Sequence, residues 1–172
     1  RPLTAPATLR AAALLREDGA AHAVLRSSET GFQADHFRAL CRPPATERPA
    51  LATPPTGPTL AAGALYGSVL FQGGRFRRLL GYRKLGAREC VAEIACRKER
   101  WFHRYAPAEL ETGDPGARDA VLHAIQSCVP HRVLLPTGVD RLTLFGPAEG
   151  DRIFAHARET ARSGDDFVYR VD

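Results

Sequence analysis

The chain has 172 residues, 44% hydrophobic and 25% charged, with a formal net charge of +5 and a pI of about 9.4. That is ordinary globular composition, enough for one domain-sized core. No apolar run approaches the roughly 18 residues a bilayer span needs, and no basic start followed by an apolar stretch marks a signal peptide.

There is no Met, and the chain begins and stops in mid-phrase at Arg1 and Asp172. Both features suggest a segment of a longer polypeptide. The basic residues are almost all arginine, clustered at Arg75, Arg77, Arg78 and at Arg97, Lys98, Arg100. No stacking-aromatic register or zinc-finger spacing accompanies them, so a nucleic-acid partner is not expected. They read as a solvated face, with a landing patch for an acidic protein as the sharper alternative. Cys41, Cys90, Cys96 and Cys128 form no C-x-x-C pair. They are expected as reduced thiols, which favours the cytoplasm.

Three strand-like stretches come first: Thr8 to Leu15, Ala21 to Arg26 and Gly31 to Leu40, with Glu17-Asp18-Gly19 as the first turn. They predict a small antiparallel meander over residues 1–42. Residues 43–59 are rich in proline and read as a semi-rigid linker. A second unit, residues 60–172, opens with a loop and short helix holding Tyr66 to Phe76. Strands Arg77 to Leu85 and Arg88 to Arg97 follow, joined at Gly86, then an irregular stretch with Trp101, Phe102 and Tyr105.

Asp114-Pro115-Gly116 predicts a helix start, with Asp at the cap and Pro at the first helical position. The helix is expected to run to about Val129, closed by Pro130, burying Val121, Leu122, Ile125, Cys128 and Val129. Strands are expected near Thr137 to Phe145, Arg152 to Glu159 and Asp166 to Val171. One long helix amid antiparallel strands is an α+β pattern, the helix lying against a curved sheet.

Asp119, His123 and Gln126 are spaced i, i+4 and i+7 and share a helix face. Two readings stand. Either the stripe faces water on a merely amphipathic helix, or it lines a cavity, because unpaired burial costs about 1–3 kcal/mol per group. In the second reading Asp119, within the first turn or so, is favoured as an anion by the free backbone N–H groups. His123 would then fix its orientation or share a proton. Asp35 and His36 are strand neighbours pointing to opposite faces and cannot cooperate. His103, His131 and His156 are isolated, and no set of side chains has metal-ligand spacing. The glycine-rich Gly67 to Gly74 lacks the ending of a phosphate loop.

Tyr66-Gly67 followed by Phe71-Gln72-Gly73 resembles the Y-G-x-x-F-Q-G signature of polyketide synthase dehydratases, stretched by one residue and with Ser68 where proline is usual. Asp119 to His123 resembles the family's D-x-x-x-Q/H motif, and Leu135-Pro136 its L-P motif. The phrases from Leu70 to Arg78 and from Val121 to Pro136 look most like the dehydratase of iterative type I, enediyne-type synthases.

The resemblance implies a double hot-dog fold, a long helix wrapped by an antiparallel sheet in each of two copies. Residues 60–172 would form the C-terminal copy, and residues 1–42 would be the last strands of the first. It also implies loss of water from a β-hydroxyacyl chain tethered by phosphopantetheine to an acyl carrier protein, with no metal or redox cofactor. A histidine base would remove the α-proton while a protonated Asp119, favoured by burial in an apolar tunnel, delivers a proton to the departing hydroxyl. His123 would position Asp119 and Tyr66 would offer a hydroxyl. Gly67, Phe71, Gln72, Gln126, Leu135 and Pro136 would complete the substrate-binding set. Neighbouring synthase domains are implied partners, and a homodimer is compatible.

The family's H-x-x-x-G-x-x-x-x-P motif has no counterpart, since His22 and His36 lack the glycine four residues on. The segment taken alone is therefore expected to be catalytically incompetent. A product-template cyclase on the same frame, and a non-catalytic hot-dog docking or dimerisation module, are the competing readings. A thioesterase-type hot dog would be complete in one short chain, without the proline stretch.

Overall fold

In the computed structural model, residues 6–43, 50, 53–102, 104, 110, 112–146 and 150–172 are described. His103, Tyr105 and much of the proline-rich stretch lie outside them. The chain divides into two units, Arg1–Glu47 and Arg48–Asp172.

In the first unit the turn at Glu17 to Gly19 joins β1 (Leu9–Leu15) to β2 (Ala21–Ser27), and β3 (Asp35–Cys41) completes an antiparallel sheet in the order β1-β2-β3. The expected third strand began at Gly31, but the chain enters it only at Asp35. A 3₁₀ turn over Ser28–Thr30 comes first, then Gly31 and Phe32 in left-handed conformations at φ 58° and 62°. The Phe32 N–H donates to Ser27 O at 2.9 Å, so hydrogen bonding offsets a backbone conformation that is uncommon for a bulky residue.

The second unit is a five-stranded antiparallel sheet in the order β4-β5-β6-β7-β8, with one helix packed on it. Its strands are β4 (Leu60–Ala61), β5 (Leu79–Leu85), β6 (Glu89–Ala95), β7 (Arg152–Ser163) and β8 (Asp166–Val171). Period-two alternation sends Cys90, Ala92 and Ile94 of β6 into the core, and the register sets Ala157, Ala155 and Ile153 of β7 beside them. Glu93 goes to the opposite face, where Arg83 and Arg152 pair with it at 3.0 and 2.5 Å.

The helix α1 (Pro115–His123) continues as a 3₁₀ turn over Ala124–Cys128, so the regular α-helix is shorter than its sequence pattern suggested. Of the expected apolar set Cys128 and Val129 are buried, but the rest of the buried face differs. Gly116, Ala117, Ala120 and Ala124 face the core, whereas Leu122 is 42% exposed and Val121 and Ile125 are only partly buried. The sheet beneath presents Leu79, Tyr82 and Ile94 along with Cys90, Ala92, Ala155 and Ala157, and a helix surface of glycine and alanine leaves room for the larger ones. A Cβ added at Gly116 would lie 2.8 Å from Arg75 O and 2.9 Å from Arg78 Nε, so no larger residue fits there.

Two further expectations fail. Residues 137–145 form no strand: Pro136 and Gly138 interrupt the stretch, and β6 pairs directly with β7. Val139 and Leu142 are left 63% and 66% exposed. Tyr66 to Phe76 holds no single short helix. Two 3₁₀ turns, Gly63–Leu65 and Gly74–Phe76, bracket a tight loop instead.

What fixes α1 on the sheet is the carboxylate of Asp114. It accepts from Gly116 N at 2.9 Å, Arg97 N at 3.1 Å and Trp101 Nε1 at 3.0 Å. Arg78, fully buried just before β5, places Nε 3.7 Å from Asp114 and Nη2 3.0 Å from Glu99. None of its guanidinium nitrogens makes a well-aligned hydrogen bond, so the side chain is held by charge. Replacing Asp114 by Ala removes a helix cap and half the charge that compensates Arg78. The expected loss is about 3 kcal/mol in urea unfolding, and a loss under about 1 kcal/mol would reduce Asp114 to an ordinary cap.

Candidate active site

The loop after the Gly63–Leu65 turn is built to present Tyr66. Leu70, fully buried, anchors it; its N–H donates to Leu65 O at 2.9 Å while its carbonyl accepts from Gly67 N at 2.7 Å. Gly67 sits at φ 92°, a conformation that a side chain would strain. Ser68 fits its position because Oγ donates to Ala64 O and Leu65 O, at 3.1 and 3.2 Å, closing the turn.

From this loop Tyr66 reaches α1. Its hydroxyl lies 3.3 Å from His123 Nε2, and His123 Nδ1 lies 2.9 Å from Asp119 Oδ2. The Leu79 N–H donates to the Tyr66 oxygen at 2.9 Å. The Tyr66 oxygen accepts from the Leu79 amide, and burial favours the neutral imidazole. With its Nδ1–H donated to Asp119, that ring leaves Nε2 to accept from the Tyr66 O–H. Tyr66 and His123 meet edge to face with ring centroids 6.0 Å apart, and the Arg77 guanidinium lies 4.6 Å from the Tyr66 ring centroid.

Burial is uneven along this row. The His123 side chain is 5% exposed and that of Asp119 is 37% exposed. Burial pushes the His123 imidazole below its ordinary range, more than Asp119 pulls it back. Burial pushes the Tyr66 hydroxyl up, opposed by the Leu79 amide and the Arg77 charge. Asp119 is the fifth residue of α1 and Asp114 is the cap, so the first-turn amides expected to act on Asp119 belong to Asp114 instead. The apolar enclosure expected around Asp119 is likewise not provided within its own unit.

Gln126 does not extend the row. Its Nε2 donates to the carbonyls of Val129 and Arg132, and its Oε1 accepts from Leu134 N at 2.7 Å. Both ends of the side chain are engaged by backbone, so Gln126 anchors the segment leading to Leu135-Pro136 rather than facing a ligand. Leu135 and Phe71 are 67% and 63% exposed, and Pro136 and Gly67 are also exposed. Gln72 is partly buried, with Oε1 enclosed and unbonded. Sequence reasoning missed the Leu79 amide, which as a backbone group carries no residue-type signal, and Arg77, which was counted only within a basic cluster. Among the described residues no group of three or more His, Cys, Asp or Glu could hold a metal ion. No helix among them is long and apolar enough to cross a membrane.

A helix seated on an antiparallel sheet, with an Asp–His pair on it facing a Tyr-Gly loop, is a hot-dog type arrangement carrying acid–base groups. The family model of the polyketide synthase dehydratase N-terminal domain matches residues 44–172, and the chain belongs to that family. Searches of the curated proteins and of the solved structures each found no significant match. Membership carries dehydration in polyketide biosynthesis, a hydro-lyase reaction, worked together with an acyl carrier protein and other synthase domains.

Two measurements check this geometry. His123 is held neutral by burial, so its contribution to stability is complete above the unfolded-state value of about 6.5 and is lost as pH falls through the lowered folded value. The urea midpoint should therefore drop on acidification below neutrality, with a shallower drop in His123→Asn. Gln126→Ala should cost about 1–3 kcal/mol and speed hydrogen exchange at the Leu134 amide, whereas unchanged exchange would free Gln126 for another role.

Proposed function

We propose that this chain supplies the acid half of a dehydratase active site, with Asp119 as proton donor, His123 as the group that orients it and Tyr66 as a hydroxyl donor to the substrate. The substrate is a β-hydroxyacyl chain on the phosphopantetheine of an acyl carrier protein. A histidine base outside this chain removes the α-proton. The electron pair forms the α,β double bond, the C–O bond breaks, and the Asp119 proton leaves with the hydroxyl as water. This leaves an α,β-enoyl chain and an Asp119 carboxylate, and the proton gained by the base restores the acid in the next cycle.

The observation that carries this reading is the continuous hydrogen-bonded row from Asp119 through His123 to Tyr66, which joins two of the three sequence motifs. His123 occupies one oxygen of Asp119, Oδ2, and leaves Oδ1 to face a substrate. The 37% exposure of the Asp119 side chain fits a site whose second wall is another surface.

The finer reading is one hot dog of a double hot dog, from an iterative type I synthase of the enediyne kind; the Asp119 motif favours the C-terminal copy, whereas the matching family model is that of the N-terminal domain. It rests on the motif phrases and on the absence of the histidine motif. Neither a metal nor a redox cofactor has a step in this chemistry. A cytoplasmic location and a possible homodimer belong to the same reading.

The test is enoyl formation from a β-hydroxyacyl pantetheine thioester. In the complete dehydratase carrying this segment, Asp119→Asn should lower kcat by about 10²–10⁴-fold, the usual worth of a positioned acid. The 172 residues alone should give no product. Turnover by the segment alone, abolished by Asp119→Asn, would leave the acid in place but overturn the divided site. Full activity of the Asn variant in the complete domain would favour a docking module instead.

A further inference from the structure

We propose that Arg77 is a positioning residue of this site, its guanidinium stacked on the Tyr66 ring so as to fix the ring and strengthen the hydroxyl as a donor toward His123 and the substrate. The inference rests on the functional reading above for its catalytic meaning, though not for its physical content.

Three arginines lie together in sequence here, and two of them are committed elsewhere. Arg75 pairs with Glu99 at 3.0 Å and stacks on Trp101, and Arg78 is buried against Glu99 and Asp114. Arg77 is exposed, and among the described residues no carboxylate pairs with it. Its placed contact is the Tyr66 ring, 4.6 Å from the guanidinium carbon to the centroid. A cation at that distance is attracted to the ring face and favours negative charge on the phenol oxygen.

The groups facing Tyr66 divide into two sets. From α1 come His123, which accepts its hydroxyl, and Asp119, whose charge opposes ionisation. From the approach to β5 come Arg77 and the Leu79 N–H, both of which favour it. Burial acts against ionisation as well. Arg77 thus offsets part of what burial costs the hydroxyl as a donor while leaving the proton on Tyr66.

The test labels the tyrosines of the 172-residue chain with ¹³C at Cζ, assigns Tyr66 with Tyr66→Phe, and follows its ionisation by NMR. Arg77→Met keeps the aliphatic cover and removes the charge, and it should raise the Tyr66 midpoint by about half a pH unit, roughly threefold in acidity. Arg77→Lys should restore most of that difference. A Tyr66 midpoint equal in the wild type and a folded Arg77→Met would overturn the proposal. Arg77→Gln repeats the measurement if methionine disturbs folding, and loss of folding in both would make Arg77 structural, which also overturns it. Because no turnover is read, failure here is separate from failure of the dehydratase assignment. In the complete domain, Arg77→Met should lower kcat about threefold with KM little changed. A wild-type domain that forms no enoyl product would count against the function rather than against Arg77.

Discussion

A single carboxylate at the start of a helix carries the geometry on which the site depends. Asp114 gathers two backbone amides, an indole N–H and the charge of a buried arginine, and these donors come from α1, from the segment after β6 and from the approach to β5. A charge withdrawn from water is costly without an opposite charge beside it, so losing either Asp114 or Glu99 would leave Arg78 strongly unfavourable. Assembly sets the position of α1 along the sheet, and with it the height at which Asp119 and His123 meet Tyr66. Gly116 acts in the same place by a steric route, since its missing Cβ lets the helix start lie against Arg75 and Arg78.

With the helix fixed, the site is a row of groups in graded environments. His123 is enclosed and neutral, Tyr66 is half-buried with its oxygen already accepting an amide, and Asp119 opens to the surface. A buried neutral imidazole that donates Nδ1–H to a carboxylate orients that carboxylate without competing for its proton near neutrality. In the proposed dehydratase reading, the open side of Asp119 is the side on which a substrate hydroxyl would arrive, and the substrate or another wall would complete the enclosure.

In the first unit the antiparallel sheet carries no α-helix among the described residues. Its register lines up Ala11, Leu25 and Phe37, and every residue of β1 is exposed. The second unit has the same antiparallel pairing, but one face is covered by α1, and β6 becomes the most buried strand in it. The difference lies in the helix rather than in the strands.

Much of this was legible in the sequence. The β1–β2 turn, the pairing of β5 with β6, the Asp114 cap followed by Pro115, and the bounds of β8 all follow from local chemistry: turn residues, alternation and capping. The i, i+4 spacing of Asp119 and His123 is also local, since a helix of any orientation brings them together. What only the tertiary structure decided is the use made of each face. Gln126 has helical spacing with the pair, but its amide is taken by the backbone of the following segment. Leu122 looked like core, but the alanines of α1 face the sheet and Leu122 is left exposed. Residues 137–145 were expected as a strand yet find no ladder, and β6 pairs with β7 instead. The Leu79 amide and Arg77 are likewise tertiary partners of Tyr66, at separations where sequence spacing holds no information. Helix and strand periods are properties of neighbouring residues. Burial, pairing and the direction of a proton are properties of what the rest of the chain places opposite them.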